Sequence, residues 1–424
     1  MKVNGAIAGA ARPRLVLLRA LLLAAILLGA ALAADGRLLG APGANGQSTT
    51  IAGAISTPSS GTATTSAFDR QGMWIWYVSK SSGGSPGAII SRAQHSGVGT
   101  VYIKAGDGSS PWSQFSSSLV SALHAGGLKV CAWQFVYGDH PGAEARIGAA
   151  AVAKGADCLV IDAESQYEGK YASASKYVSR LRARIGPSVP VSLAGFPYVD
   201  YHPGFPYSVF FQPGGADANQ PQMYWKTIGT SVATNYSHTY TYNRIYKRPI
   251  YPLGQTYADP GIKGIKRFRS LAISYGASGV SWWDWQETTG KEWGALHAAV
   301  QGVAGFNPTV THPTLKKGSK GDMVVWAQEL LVSAGQSQLP VTGIYGARTK
   351  AAVVSFQSQK GLASDGILGT STWQALLQYS PAAVNWAAPR SLGRASTSAA
   401  AHGRAPLSAS LPARRNEIKS GLRP

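Results

Sequence analysis

With 424 residues, 45% of them apolar, the chain has room for two or three domains and ample material for a large core, which excludes a fold held together mainly by cross-links. Its two cysteines, Cys131 and Cys158, exclude a disulfide framework; an oxidising exterior would permit one bridge between them, and two buried thiols are the blander reading. A formal charge of +20 suits attachment to an anionic envelope polymer, while the absence of any nucleic-acid motif argues against a nucleic-acid partner.

Part of that charge sits at the two ends, in Lys2, Arg12, Arg14 and Arg19 and again in Arg390, Arg394, Arg404, Arg414, Arg415, Lys419 and Arg423. The N-terminal basic residues precede an apolar run from Ala20 to Ala33 and a small-residue Ala31-Leu32-Ala33 ahead of Ala34 and Asp35. That is the pattern of a secretory signal over residues 1–34. The run is shorter than the roughly 20 residues that cross a bilayer, so no stable membrane span is expected once the signal is cleaved. The expected destination is secreted, extracellular or cell-wall associated. Residues 35–67, rich in Gly, Ala, Ser and Thr, read as a flexible spacer.

Eight short β-branched or aromatic runs follow: Met73–Val78, Thr100–Lys104, Lys129–Phe135, Cys158–Asp162, Pro190–Ala194, Pro221–Tyr224, Pro249–Gly254 and Gly279–Trp283. Helical patterns fill most gaps, at Pro86–His95, Gly142–Lys154, Ala172–Ile185 and Ile262–Tyr275. The alternation predicts an α/β fold, a (β/α)8 TIM barrel over 68–304. An open doubly wound sheet is the rival, without a Gly-rich phosphate fingerprint after the first strand to support it. Pro308 and Pro313 mark a linker at 305–314, a small all-α three-helix domain is expected at 315–379, and the Ala/Ser/Pro/Arg-rich 380–424 reads as a disordered basic tail.

Strand side chains alternate, so Asp162 and Glu164 in Asp157-Cys158-Leu159-Val160-Ile161-Asp162-Ala163-Glu164 face one way at the C-terminal end of the fourth strand, where barrels carry their active sites. Two carboxylates there can divide labour, one protonated as an acid and one ionised. Together with Val101-Tyr102-Ile103-Lys104-Ala105-Gly106-Asp107-Gly108 on the second strand, this order of motifs resembles the family 25 glycoside hydrolases, the lysozyme-type muramidases, and more distantly the family 18 chitinases. The resemblance implies Glu164 as acid/base, Asp162 as its partner and Asp284 on the last strand as a further functional carboxylate. It implies substrate contacts by Lys104 and by Gln222 and Tyr224 of Gln222-Met223-Tyr224, which is similar to the chitinase-type strand that sets a phenol against an N-acetyl group. The chain departs from the muramidase pattern in lacking an Asp on the first strand, where it reads Gly72-Met73-Trp74-Ile75-Trp76-Tyr77 and Asp69 comes too early. Trp74, Trp76 and Trp282, with Trp133, Tyr198, Trp225 and Trp283, lie near strand ends as stacking candidates for sugars or as core. His140, His202 and His238 lack metal-ligand spacing, so neither a metal nor a cofactor is expected.

Past the linker, Thr342-Gly343-Ile344-Tyr345-Gly346-Ala347-Arg348-Thr349 is echoed by Asp365-Gly366-Ile367-Leu368-Gly369-Thr370-Ser371-Thr372. Glycines permit the turns, and the Thr-bearing segments are expected to cap the helices that follow. These residues resemble the three-helix peptidoglycan-binding domain appended to wall hydrolases, with Thr342 where the first turn usually has Asp. The combined expectation is a monomeric, exported hydrolase of peptidoglycan or a related glycan, or else a non-catalytic wall-binding protein on a degenerate glycosidase barrel. The short linker suggests a module that tethers the barrel without adding chemistry, so that truncation at Leu315 leaves turnover of a soluble glycan nearly unchanged.

Overall fold

The structure is a computed structural model that describes residues 66–386; the expected signal, nearly all of the spacer and the tail beyond Trp386 lie outside the described residues. Strands β1 (Gln71–Ile75), β2 (Thr100–Asp107), the short β3 (Ser110–Pro111), β4 (Lys129–Val136), β5 (Cys158–Ala163), β6 (Val191–Ala194), β7 (Ala218–Asn219), β8 (Leu253–Gln255) and β9 (Val280–Trp283) form one sheet. Its path is β7-β6-β5-β4-β2-β1-β9-β8, parallel throughout, with β3 hairpinned onto β2. Parallel bridges Asn219↔Ile250 and Gln222↔Leu253 join the two path ends. The result is an α/β barrel of eight parallel strands.

Helices α1 (Pro86–His95), α2 (Ser117–Ala125), α3 (Pro141–Ala153), α4 (Tyr171–Ile185), α5 (Tyr207–Phe210), α6 (Trp225–Ile228), α7 (Val232–Asn243), α8 (Ile262–Ser274) and α9 (Gly290–His297) surround it. The period-two pattern sorts side chains into two cores. Met73, Ile75, Val101, Ile103, Leu159, Ile161 and Leu193 meet the helices, whereas Trp74, Tyr102, Cys131, Trp133, Cys158 and Val160 fill the lumen. Gly72 is required at the seam, because a Cβ there would lie 2.3 Å from the Tyr102 ring. Cys131 and Cys158 are register partners on β4 and β5 and are disulfide-bonded. The reading of two free buried thiols is therefore corrected: adjacent parallel strands set both side chains at the same height in the lumen.

Predicted strands on the first half of the barrel match to within two or three residues. On the second half they shorten: the sixth is Ala218–Asn219 rather than Pro221–Tyr224, and the seventh is Leu253–Gln255. Pro221 and Pro249 lack the N–H that a ladder needs, which leaves single bridges around them.

Three further helices, α10 (Asp322–Ser333), α11 (Ala347–Gln359) and α12 (Thr370–Leu376), form the C-terminal module. Its two echoing turns share one device. Gln328 Oε1 accepts from the N–H groups of Thr342 and Gly343 while its Nε2 donates to Ile344 O and Thr349 Oγ1. Gln357 repeats this, accepting from Gly366 N–H and donating to Ile367 O and Thr372 Oγ1. Gly343 and Gly366 stand at φ 68° and 71°, in the region that favours glycine. Thr342 Oγ1 accepts from Ile344 N–H at 3.2 Å as Asp365 Oδ1 does from Ile367 N–H at 2.8 Å, so Thr serves where Asp was expected. The expected Thr caps are corrected: Gly346 and Gly369 occupy the N-cap positions, and the threonines are spent on the glutamines.

The barrel and the module fall within one compact unit. The Asp322 carboxylate accepts from Ser208 N–H at 2.9 Å, Ser208 Oγ at 2.6 Å and Tyr246 Oη at 2.8 Å. Trp326 Nε1 donates to Ile245 O at 2.6 Å. The chain stays packed past 379, with Ala382 N–H bonded to Glu329 O and Trp386 against Tyr171, ring centroids 4.7 Å apart. Residues 380–386 are thus part of the fold.

Burial pushes the Asp322 carboxyl up to about 6, against hydrogen bonds from Ser208, Tyr246 and Tyr171 that pull it down. A value raised by folding means that the folded chain holds the proton more tightly, so this contribution is fully present below about pH 4 and is lost as pH rises through about 6. A rise of this size corresponds to about 3 kcal/mol. Calorimetry should therefore show a higher melting temperature near about pH 5 than near about pH 7.5, and Asp322→Asn should flatten the difference.

Candidate active site

Alternation along β5 points Asp162 into the barrel mouth, and Glu164 follows on the same side where the strand ends. They are 6% and 8% exposed. Gln222, just beyond β7, donates its Nε2 to Asp162 Oδ1 and to Glu164 Oε1, at 3.1 Å each. One donor thereby holds both carboxylates, and the two oxygens lie within two hydrogen-bond lengths of each other. Burial, then the neighbouring Glu164, pushes Asp162 well above the carboxylate range, with Lys104 opposing. Burial likewise raises Glu164, against the Gln222 hydrogen bond and the nearby His202. Such a pair retains a proton at a pH where ordinary carboxyls have lost theirs.

Lys104 projects into the lumen from β2 and is 3% exposed. It pairs with Asp107 Oδ2 at 2.7 Å, and its ammonium lies over the rings of Trp112, Trp133 and Trp76 at 4.5, 4.8 and 5.2 Å. Asp107 also accepts from Tyr137 Oη at 2.8 Å. A register shift between Lys104 and Gly106 bends β2 here. The Tyr224 phenol is buried, and its ionisation is opposed by burial first, then by Tyr257, Asp162, Glu164 and Asp284. This gathers Asp284 and Tyr224 to the mouth with the pair. Asp284 is 1% exposed and accepts from Gln286 Nε2 at 2.7 Å.

Two expected sugar contacts are corrected. Trp282 turns outward to Phe268 and the helix layer, since odd and even positions of β9 face opposite sides. Trp74 faces inward but lies deep in the lumen, stacked on Tyr102 with its Nε1 bonded to Ser281 Oγ. Both are at most 1% exposed, so neither offers a face to a glycan. Trp76 is half-buried at the rim, where it stacks on Tyr77; Tyr77 in turn meets Trp112. Tyr77 and Trp112, which the sequence did not single out, follow closely on β1 and β3 and join Trp76 at the rim. Asp69 lies at the opposite end of the barrel, bound to Ser66 N–H, Tyr251 Oη and Ser278 Oγ. His202, which has no metal-ligand spacing in the sequence, lies 3.1 Å from Glu168 Oε1 and near Glu164. Among the described residues no group of His, Cys, Asp and Glu has the arrangement of a metal site.

The family model for the peptidoglycan binding domain matches residues 320–376. Among solved structures, the chain is similar to a fungal endo-β-N-acetylglucosaminidase of glycosyl hydrolase family 18, at 16% identity over 54% of this chain and 96% of that one, TM-score 0.40. It is similar to the spore cortex-lytic enzyme of Bacillus cereus, at 10% identity over 55% and 75%, TM-score 0.38. A family 25 glycosyl hydrolase from Bacillus anthracis aligns at 17% identity over 31% of this chain and 63% of that one, TM-score 0.24.

Proposed function

We propose that the protein is an exported, wall-directed glycoside hydrolase that cleaves β-linked glycans of N-acetylated sugars, peptidoglycan above all. The observation that carries this reading is the buried Asp162–Glu164 pair held by one amide at the mouth of the barrel. The peptidoglycan binding domain at 320–376 supports the choice of polymer.

Inverting enzymes hold their carboxyls roughly 6.5–9.5 Å apart on opposite faces of the sugar to admit a water. Asp162 and Glu164 rise from one strand end and share a donor, so they approach a scissile bond from one side. That arrangement favours substrate assistance, in which the N-acetyl oxygen of the sugar attacks its own C1 as the glycosidic oxygen departs with the proton of Glu164. Asp162 orients the acetamide N–H and stabilises the cation that forms. Tyr224 offers its hydroxyl to the acetamide oxygen. Water then opens the cyclic intermediate, returning its proton to Glu164, and the configuration at C1 is retained.

The test is to digest purified peptidoglycan and a soluble N-acetylated oligosaccharide and to read the anomer formed at early times by NMR. New β reducing ends are expected, and initial α ends would overturn the mechanism. One observation favours a non-catalytic wall-binding reading: Trp76, not a carboxylate, stands at the end of β1. Under that reading no reducing ends appear at all.

A further inference from the structure

We propose that the C-terminal module is a positioning element of the candidate active site: by clamping Pro203 it holds the loop 195–206, and with it His202, against the segment that follows Glu164. The kinetic part of this inference rests on the hydrolase reading; the mechanical part does not.

The clamp has two jaws. On the module side, Asp322 N–H donates to Pro203 O at 2.7 Å, and Gly321 sits at φ 104° with Pro203 so close that a Cβ would meet its Cβ and carbonyl oxygen at 2.6 Å. Only glycine permits that approach. On the barrel side, Gly169 N–H donates to Gly204 O at 2.8 Å, and a Cβ on Gly204 would lie 2.5 Å from Glu168 Oε2. Between the jaws His202 stacks on Phe196, centroids 3.5 Å apart, with its Nδ1 against Glu168. One path from Asp322 toward Glu164 therefore runs through Pro203 and His202, and a second reaches the same loop through Ser208 and Tyr207, whose Oη donates to Phe196 O at 3.1 Å.

The same loop forms the wall of a small cavity of about 40 Å³ beside Gln222, lined by Phe196, Tyr198, Tyr201 and His202. Gln222 is the residue that holds both carboxylates, so the wall held by the module borders the reacting centre. Asp322 fixes the register of this contact, since a buried carboxylate bonded to Ser208 and Tyr246 loses all of these partners if the module slides. A simple tether needs none of these contacts.

The titratable groups about Glu164 are Asp162 on its own strand, His202 from the loop, and Tyr224 past β7, with Lys104 and Asp107 acting on Asp162. His202 itself faces Glu168, while Asp200 on the same loop is paired with His238. His202 favours the charged form of Glu164, so loosening the loop should raise the proton affinity of Glu164 further.

The experiment uses the full chain, as wild type, Asp322→Asn and, as a second variant that leaves the Asp322 carboxylate in place, Trp326→Phe, which removes the indole N–H bond to Ile245 together with part of a fully buried ring. Hydrogen exchange of residues 196–206 and kcat, KM and the pH profile on a soluble N-acetylated oligosaccharide are measured. Faster exchange in the loop is expected in both variants, with kcat down on the order of tenfold, KM little changed and the alkaline limb of the profile moved upward. A partly unfolded population would scale that profile without moving it. Loop exchange equal to wild type in both variants overturns the clamp, and faster exchange with kcat and the alkaline limb unmoved overturns the positioning role. If wild type turns over no glycan, the hydrolase reading fails, and the exchange measurement still decides the clamp.

Discussion

Glu164→Gln should reduce the release of reducing ends from purified wall by about 10³-fold, since a positioned general acid contributes roughly 10²–10⁴-fold. Glutamine keeps the shape and can still meet Gln222, but it has no proton to give to the leaving oxygen. Asp162→Asn should cost about 10²-fold by removing the carboxyl that orients the acetamide and stabilises the developing cation. The sign of the pH dependence follows. Burial raises Glu164, the acid must be protonated to act, and activity therefore falls as pH rises through that raised value, later than an ordinary glutamate would allow. Equal release by wild type and Glu164→Gln would remove Glu164 from the chemistry.

Trp373→Ala should unfold the module. The indole is fully buried, and its Nε1 donates to Pro313 O at 2.7 Å, so the substitution removes a large apolar volume from a three-helix core and leaves a carbonyl unpaired. Losses of about 3–5 kcal/mol are usual for Trp→Ala in a core, and a unit of this size has few kcal/mol to lose. Retention on insoluble peptidoglycan should drop to background in a sedimentation assay, with a matching loss of helical circular dichroism. Retention at the wild-type level alongside lost helical signal would place wall affinity in the barrel.

Much of this architecture was legible in the residues. Period-two alternation placed Asp162 and Glu164 on one face, because the pleat leaves no other choice of side, and strand runs alternating with helical patterns read as a barrel. The Gly-bearing turns of 342–349 and 365–372 were legible because positive φ restricts what can stand there, and the resemblance they carry implied the module. Thr342 is tolerable from the sequence because the glycines set the turn, and the structure adds that its Oγ1 accepts from Ile344 N–H, two residues on. Strand ends in the second half were less so: Pro221 and Pro249 reduce the ladder to single bridges, and apolar runs do not report which residues make them.

What only the tertiary structure decided concerns neighbours far apart in the chain. Trp74 and Trp282 look alike in sequence as strand aromatics, yet one lies deep in the lumen and the other in the helix layer, because depth and side are set by how the whole sheet closes. The bond between Cys131 and Cys158 required the register of β4 on β5. Gln222 and His202 acquired their relation to Glu164 from loops that the barrel brings to a common rim. Most of all, Asp322 read as one acidic residue at a helix start, and its role came from Ser208, Tyr246 and Pro203, partners more than 70 positions away. Local propensity is written in short windows of sequence, whereas a buried polar contact is defined by which distant groups it satisfies, and only the closed, docked fold supplies those.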